Sequence, residues 1–151
     1  SIGPFYGGAA SYGYILTYDE ALFIKAEATY YTSGYSAAQD IYKEAIENNL
    51  TKTGIDISSN AAQAYLTKYG TLNSSTALSQ IMYEKSIANF LSVENYTDWR
   101  RTGYPALNIV TNASLSTIPR RFLYPKNELT ENPHTPTGTK ITDRVWWDVA
   151  Q

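Results

Sequence analysis

Trp99, Arg100 and Arg101 follow one another directly, with the carboxylates Glu94 and Asp98 just before them and Glu84 some turns earlier. Two kinds of chemistry are open to such a set. Two carboxyls about 5 to 10 Å apart supply the acid and base of glycoside hydrolysis, and the acid then needs a raised pKa. A guanidinium does the opposite to a neighbouring carboxyl, because it stabilises the ionised form. It also pairs with that carboxylate through two parallel hydrogen bonds and stacks on an indole face. With two arginines beside the tryptophan, salt bridging outweighs catalysis. Glu84, Asp98, Trp99, Arg100 and Arg101 are therefore expected to form a buried structural cluster, and no catalytic residue is assigned.

Other chemistries lack their parts. His134 is the single histidine and lies between Pro133 and Thr135, so a multi-histidine metal site cannot be built and no triad base stands near a nucleophile. Cysteine is absent, which excludes disulfides, thiolate ligands and thiol nucleophiles. The glycines Gly3, Gly7, Gly8 and Gly13 have neither the spacing nor the following Lys-Ser or Lys-Thr of a phosphate loop. No metal and no cofactor are expected. Fourteen tyrosines are suited to stacking on sugar rings, but Tyr30, Tyr42, Tyr65 and Tyr69 fall at core spacing, and Trp146 with Trp147 would close the end of a fold. No ligand-binding residue is assigned from these rings.

Twelve basic and 14 acidic residues leave a net charge of -2, so no general field exists to hold nucleic acid. No segment approaches the roughly 20 apolar residues of a membrane-spanning helix. The 151 residues suffice for one domain, 1–151, burying about 70% of its unfolded surface. The chain starts at Ser1 with a Gly- and Tyr-rich lead-in over 1–14 and reads as a piece of a longer protein.

Four helices position these residues. Thr17 with Glu20 has the form of a capping box, and Gly34 supplies a stop, which gives a helix over about 18–33. Ser36 with Gln39 repeats the box, and Ala38, Tyr42, Ala45 and Ile46 recur on one face to about Asn49. A third helix spans Ser59 to Tyr69 before Gly70. A fourth begins near Ser75 and carries Ile81, Met82, Lys85, Ala88 and Leu91 on toward Trp99, ending before Gly103 and Pro105. The helical scaffold thus occupies 15–104. Four prolines, Pro119, Pro125, Pro133 and Pro136, give 105–151 the character of an extended irregular tail.

Three segments carry a family resemblance: Tyr18-Asp-Glu-Ala-Leu-Phe-Ile-Lys-Ala-Glu-Ala28, Asn95-Tyr-Thr-Asp-Trp-Arg-Arg-Thr-Gly-Tyr-Pro105 and Ile118-Pro-Arg-Arg-Phe-Leu-Tyr-Pro-Lys-Asn-Glu128. Together with Val145-Trp-Trp-Asp148 they resemble the carboxy-terminal portion of the SusD/RagB family of nutrient-binding outer-membrane lipoproteins. The resemblance implies a mainly α fold of tetratricopeptide-like antiparallel helix pairs, 18–49 and 59–101, with the long tail packed over them. It adds Arg120 and Arg121 to the structural cluster. It further implies a binding protein and not an enzyme, acting in oligosaccharide capture with a SusC-like TonB-dependent transporter. That protein would be surface-exposed on the outer membrane and held only by a lipid on a cysteine that this chain does not contain. A peptide-binding member of the same family and a generic helical-repeat scaffold are the alternatives.

Overall fold

The computed structural model describes residues 3–149. Positions 1–2 of the expected lead-in and 150–151 of the expected tail lie outside the described residues. Among those described there are seven helices and no strand: α1 (Pro4–Gly7), α2 (Tyr18–Ser33), α3 (Tyr35–Lys52), α4 (Asn60–Tyr69), α5 (Ala77–Ala88), α6 (Glu94–Thr102) and α7 (Lys126–Glu131). None of them is long and apolar enough to cross a membrane. The chain forms two compact units, Ser1–Asn95 and Tyr96–Gln151.

In the first unit α2 packs on α3 and α5, and α3 also meets α4 and α5. The centre is an edge-to-face pair, Phe23 of α2 against Tyr42 of α3, with ring centroids 6.3 Å apart. Fully buried Ala26, Ala38 and Ala45 leave room for the backbones to approach around it. The Tyr42 hydroxyl does not waste its polarity in this core, because it donates to the Tyr69 carbonyl at 2.8 Å. Gly34 joins the two helices alone, at φ +85° and ψ 172°, a conformation open essentially to glycine.

The expected capping boxes do not form. α2 does begin after Thr17, but that side chain makes no cap hydrogen bond. Glu20 turns inward and accepts from the Asn89 amide at 2.8 Å. Ser36 is already inside α3, and Gln39 instead donates to the Gly70 carbonyl at 2.8 Å and accepts from the Leu72 amide at 2.7 Å. In each case a long-range bond in a partly dry site outcompetes an exposed local cap. Ser59 caps α4 as read, accepting from the Ala62 amide at 3.3 Å.

The fourth helix is shorter than the periodicity suggests. α5 ends at Ala88, and a turn over residues 89–93 separates it from α6. Two side chains satisfy the carbonyls left open at that end. Asn95 donates to the Ser86 and Asn89 carbonyls at 3.1 and 2.8 Å, and Lys52 donates to Ala88 at 3.2 Å. Leu91 takes a left-handed conformation, φ +69°, and is exposed, so its place in the apolar pattern marks no core contact.

The second unit holds most of α6 and the proline-rich tail. Its tail is irregular except for α7, a single short helix behind Pro125 that the sequence reading does not anticipate. A fold-back brings the amides of Arg120 and Arg121 to the Ile141 carbonyl, at 2.9 and 3.2 Å.

Candidate functional site

α6 presents Tyr96, Trp99 and Arg100 on neighbouring turns, with the Tyr96 and Trp99 rings stacked 5.9 Å apart. Arg100 lies over the Tyr96 ring at 4.3 Å and over the Trp147 ring at 4.5 Å, so the guanidinium is held between two aromatic groups. Arg120 covers the Trp99 ring at 4.5 Å. The two arginines also exchange hydrogen bonds, Arg100 Nη1 to the Arg120 carbonyl at 3.0 Å and Arg120 Nη2 to the Arg100 carbonyl at 3.1 Å. The Tyr96 hydroxyl donates to the Pro119 carbonyl at 2.7 Å.

The acid of this arrangement is Asp148. Arg120 donates to it through Nε and Nη2, a fork on both carboxylate oxygens, and Arg144 adds a bond at 2.7 Å. Asp148 is 2% exposed. The Arg120 hydrogen bonds hold its carboxyl below the usual carboxylate range against the upward push of burial. Such a carboxylate stays ionised and occupied, which suits cohesion and gives no acid for proton transfer.

The residues named from sequence therefore separate into several groups. Trp99, Arg100 and Arg120 meet as described. Asp98 and Arg101 pair with each other at 2.7 Å, one turn of α6 apart. Arg121 lies over the Tyr124 ring at 5.1 Å. Glu94 is exposed in the first turn of α6. Glu84 belongs to the first unit, where the Tyr65 hydroxyl stands 3.0 Å from both of its oxygens. Placing Glu84 beside the arginines assumes one continuous helix, and the break after Ala88 removes that register. The expected lowering of its pKa is also corrected: burial pushes the Glu84 carboxyl up, and the Tyr65 bond offsets this only in part.

That direction gives a testable pH dependence. A carboxyl raised on folding contributes its stability below the ordinary value of 4.5 and loses it as pH rises through the folded value. Glu84→Gln, which keeps an acceptor for Tyr65, is expected to gain stability relative to the parent as pH rises from 4 to 8. Chemical denaturation at several pH values checks this, and a constant difference across the range would contradict it.

A second place in the first unit has the makings of a binding site. A cavity of about 420 Å³ is lined by Tyr6, Tyr12, Tyr14 and Phe90 together with Glu20, Lys52 and Asn89, and the turn 91–94 completes it. Lys52 reaches Asp19 at 2.5 Å, and Asn49 reaches the same oxygen at 2.9 Å. Burial pushes the Asp19 carboxyl up, but these bonds outweigh it and hold it low. This polar knot ties the start of α2 to the ends of α3 and α5, and so fixes one side of the cavity. Neither Asn89 nor the lead-in rings stand out in the sequence as site residues. The only signal is the density of Tyr and Gly before α2.

Comparison with known proteins gives two matches. Residues 7–125 match a SusD-like family described as starch-binding and associating with outer membrane. The solved structure of a chitin-binding protein is similar at 32% identity and a TM-score of 0.68, over 89% of this chain and 33% of that one. The chain thus spans about a third of the length of that structure. Among curated proteins nothing matches.

Proposed function

We infer function from one premise: this chain belongs to the SusD-like family. The family is defined by binding and not by catalysis, and its description joins starch binding to outer-membrane association. On that basis the protein captures a neutral oligosaccharide at the outer membrane and passes it to a SusC-like TonB-dependent transporter. It is held at the cell surface by a lipid anchor outside this chain. The α2–α5 helices form the scaffold, and the Arg100–Trp99–Arg120–Asp148 cluster keeps the second unit in shape. The observation that carries the reading is the family match over residues 7–125. The chitin-binding protein of similar structure directs attention to β-linked N-acetylglucosamine oligomers beside starch fragments.

The test has two arms. The protein is titrated calorimetrically with maltooligosaccharides, chitooligosaccharides and a peptide panel, and affinity capture from solubilised outer membranes is followed by identification of co-purifying barrels. Saturable binding of one oligosaccharide class and recovery of a large transporter are expected. Binding of peptides alone, or of nothing, would refute the glycan reading, and capture without any barrel would remove the transporter from it.

A further inference from the structure

We propose that the ring-lined cavity of the first unit is a subsite for neutral sugar residues, with Tyr12 and Tyr14 as stacking platforms and Glu20, Asn89 and Lys52 as the groups that hold hydroxyls. The proposal rests on the glycan-binding reading and goes beyond it by assigning a place and a ligand charge class. Its volume, about 420 Å³, lies within the range of about 300–1,000 Å³ common for small-molecule sites.

The rings form a row. Phe90 meets Tyr6 at 5.3 Å, Tyr6 meets Phe5 at 4.7 Å, Phe5 meets Tyr14 at 6.3 Å, and Tyr14 meets Tyr12 at 6.3 Å. Contacts of this kind restrain the rings while leaving faces open, since Tyr12 is 82% exposed and Tyr14 49%. A pyranose offers a patch of C–H groups to such a face and its hydroxyls to the surroundings.

The polar part is built, and it has capacity to spare. Glu20 and Asn89 are both more than nine-tenths buried, and both line the cavity. A carboxylate accepts at about four lone-pair positions. Among the described residues the Asn89 amide takes one of those on Glu20. Lys52 has three donor hydrogens and directs bonds to Asp19 and to the Ala88 carbonyl, which leaves a third. Acceptor and donor positions left open beside a cavity of this size suit a hydrogen-bonding ligand. Leu91, in a left-handed conformation that branched side chains avoid, belongs to the turn that completes the lining.

Charge sets the class. The ionisable lining groups other than tyrosine are Glu20, Glu94 and Lys52, and Lys52 is already engaged with Asp19. An acidic sugar would meet two carboxylates and a cation whose charge Asp19 already offsets, whereas a neutral sugar meets acceptors for its hydroxyls and the remaining Lys52 donor.

Titration of the protein with chitotetraose, maltotetraose and a galacturonate tetramer tests this. At least one neutral tetramer should bind, and the galacturonate should bind at least tenfold more weakly. Tyr12→Ala and Tyr14→Ala should each weaken the neutral ligand about fivefold, the scale of one lost ring contact. Tyr12→Phe should retain most of the affinity, and the unfolding midpoint should not move for these exposed positions. If the parent binds and the Tyr12→Ala/Tyr14→Ala double variant binds equally well, this subsite is overturned while the glycan-binding function stands. If the parent binds neither neutral tetramer, both fall. Galacturonate binding as tight as that of the neutral ligand overturns the charge class.

Discussion

Arg120→Ala is expected to lower the unfolding free energy by about 3–5 kcal/mol, the range for removing one partner of a buried ion pair. The loss does not measure the pair's net attraction. It arises because Asp148, 2% exposed, keeps its charge and loses the two-bond fork, with only the Arg144 side chain left to hold it. The same change uncovers the Trp99 face and deletes the bond to the Arg100 carbonyl. Arg120→Lys restores a charge but not the planar fork, so it should recover only part of the loss. The readout is specific, because Trp99, Trp146 and Trp147, the three tryptophans of the chain, all lie in the second unit. Urea unfolding followed by tryptophan fluorescence reports that unit. A midpoint unchanged by Arg120→Ala would remove the structural role assigned to the cluster. pH supplies a second check. A carboxyl lowered on folding contributes stability above its ordinary value of 3.8 and loses it as pH falls through the folded value. The parent and Arg120→Ala should therefore converge in acid.

Phe23→Ala should be as severe in the first unit, at about 3–5 kcal/mol. Phe23 is 1% exposed and packs edge-on against Tyr42, which is equally buried and anchored to the Tyr69 carbonyl. Neighbours fixed in this way cannot collapse into the space left behind, so both the transfer loss and the cavity loss apply. Stabilities of about 5–15 kcal/mol are usual for a domain, so such a loss is a large share of the total. Far-UV circular dichroism, which reports the α2–α5 helices, should show the lowered midpoint. Phe23→Leu, which retains most of the volume, should cost less than half as much. Equal losses for the two variants would show that volume does not govern this site.

The two predictions differ in how far the sequence foretells them. Phe23, Ala26, Ala38, Tyr42 and Ala45 can be read as a facing pair of helix stripes because their periodicity is local. Gly34 marks its own link for the same reason, since φ +85° with ψ 172° is open essentially to glycine. The Arg120–Asp148 fork is not legible in that way. Nothing over a separation of 28 residues distinguishes Asp148 from the nearer acids Glu94 and Asp98.

What the amino-acid order determined by itself is thus the α2, α3 and α4 helices, the start of α5, their buried stripes and, through three segments, the family. These depend on interactions within a few residues, where backbone geometry fixes which groups can meet. Tertiary structure alone decided which polar group satisfies which. Glu20 left its capping position for Asn89, 69 residues away, and Gln39 left Ser36 for Gly70 and Leu72. The helix that seemed continuous through Leu91 was closed at Ala88 by Asn95 and Lys52. The row of rings from Tyr12 to Phe90 was likewise assembled by folding. The physical reason is common to all of them: a hydrogen bond or ring contact is strong where water is excluded, and which places become dry is a property of the packed chain and not of any window along it.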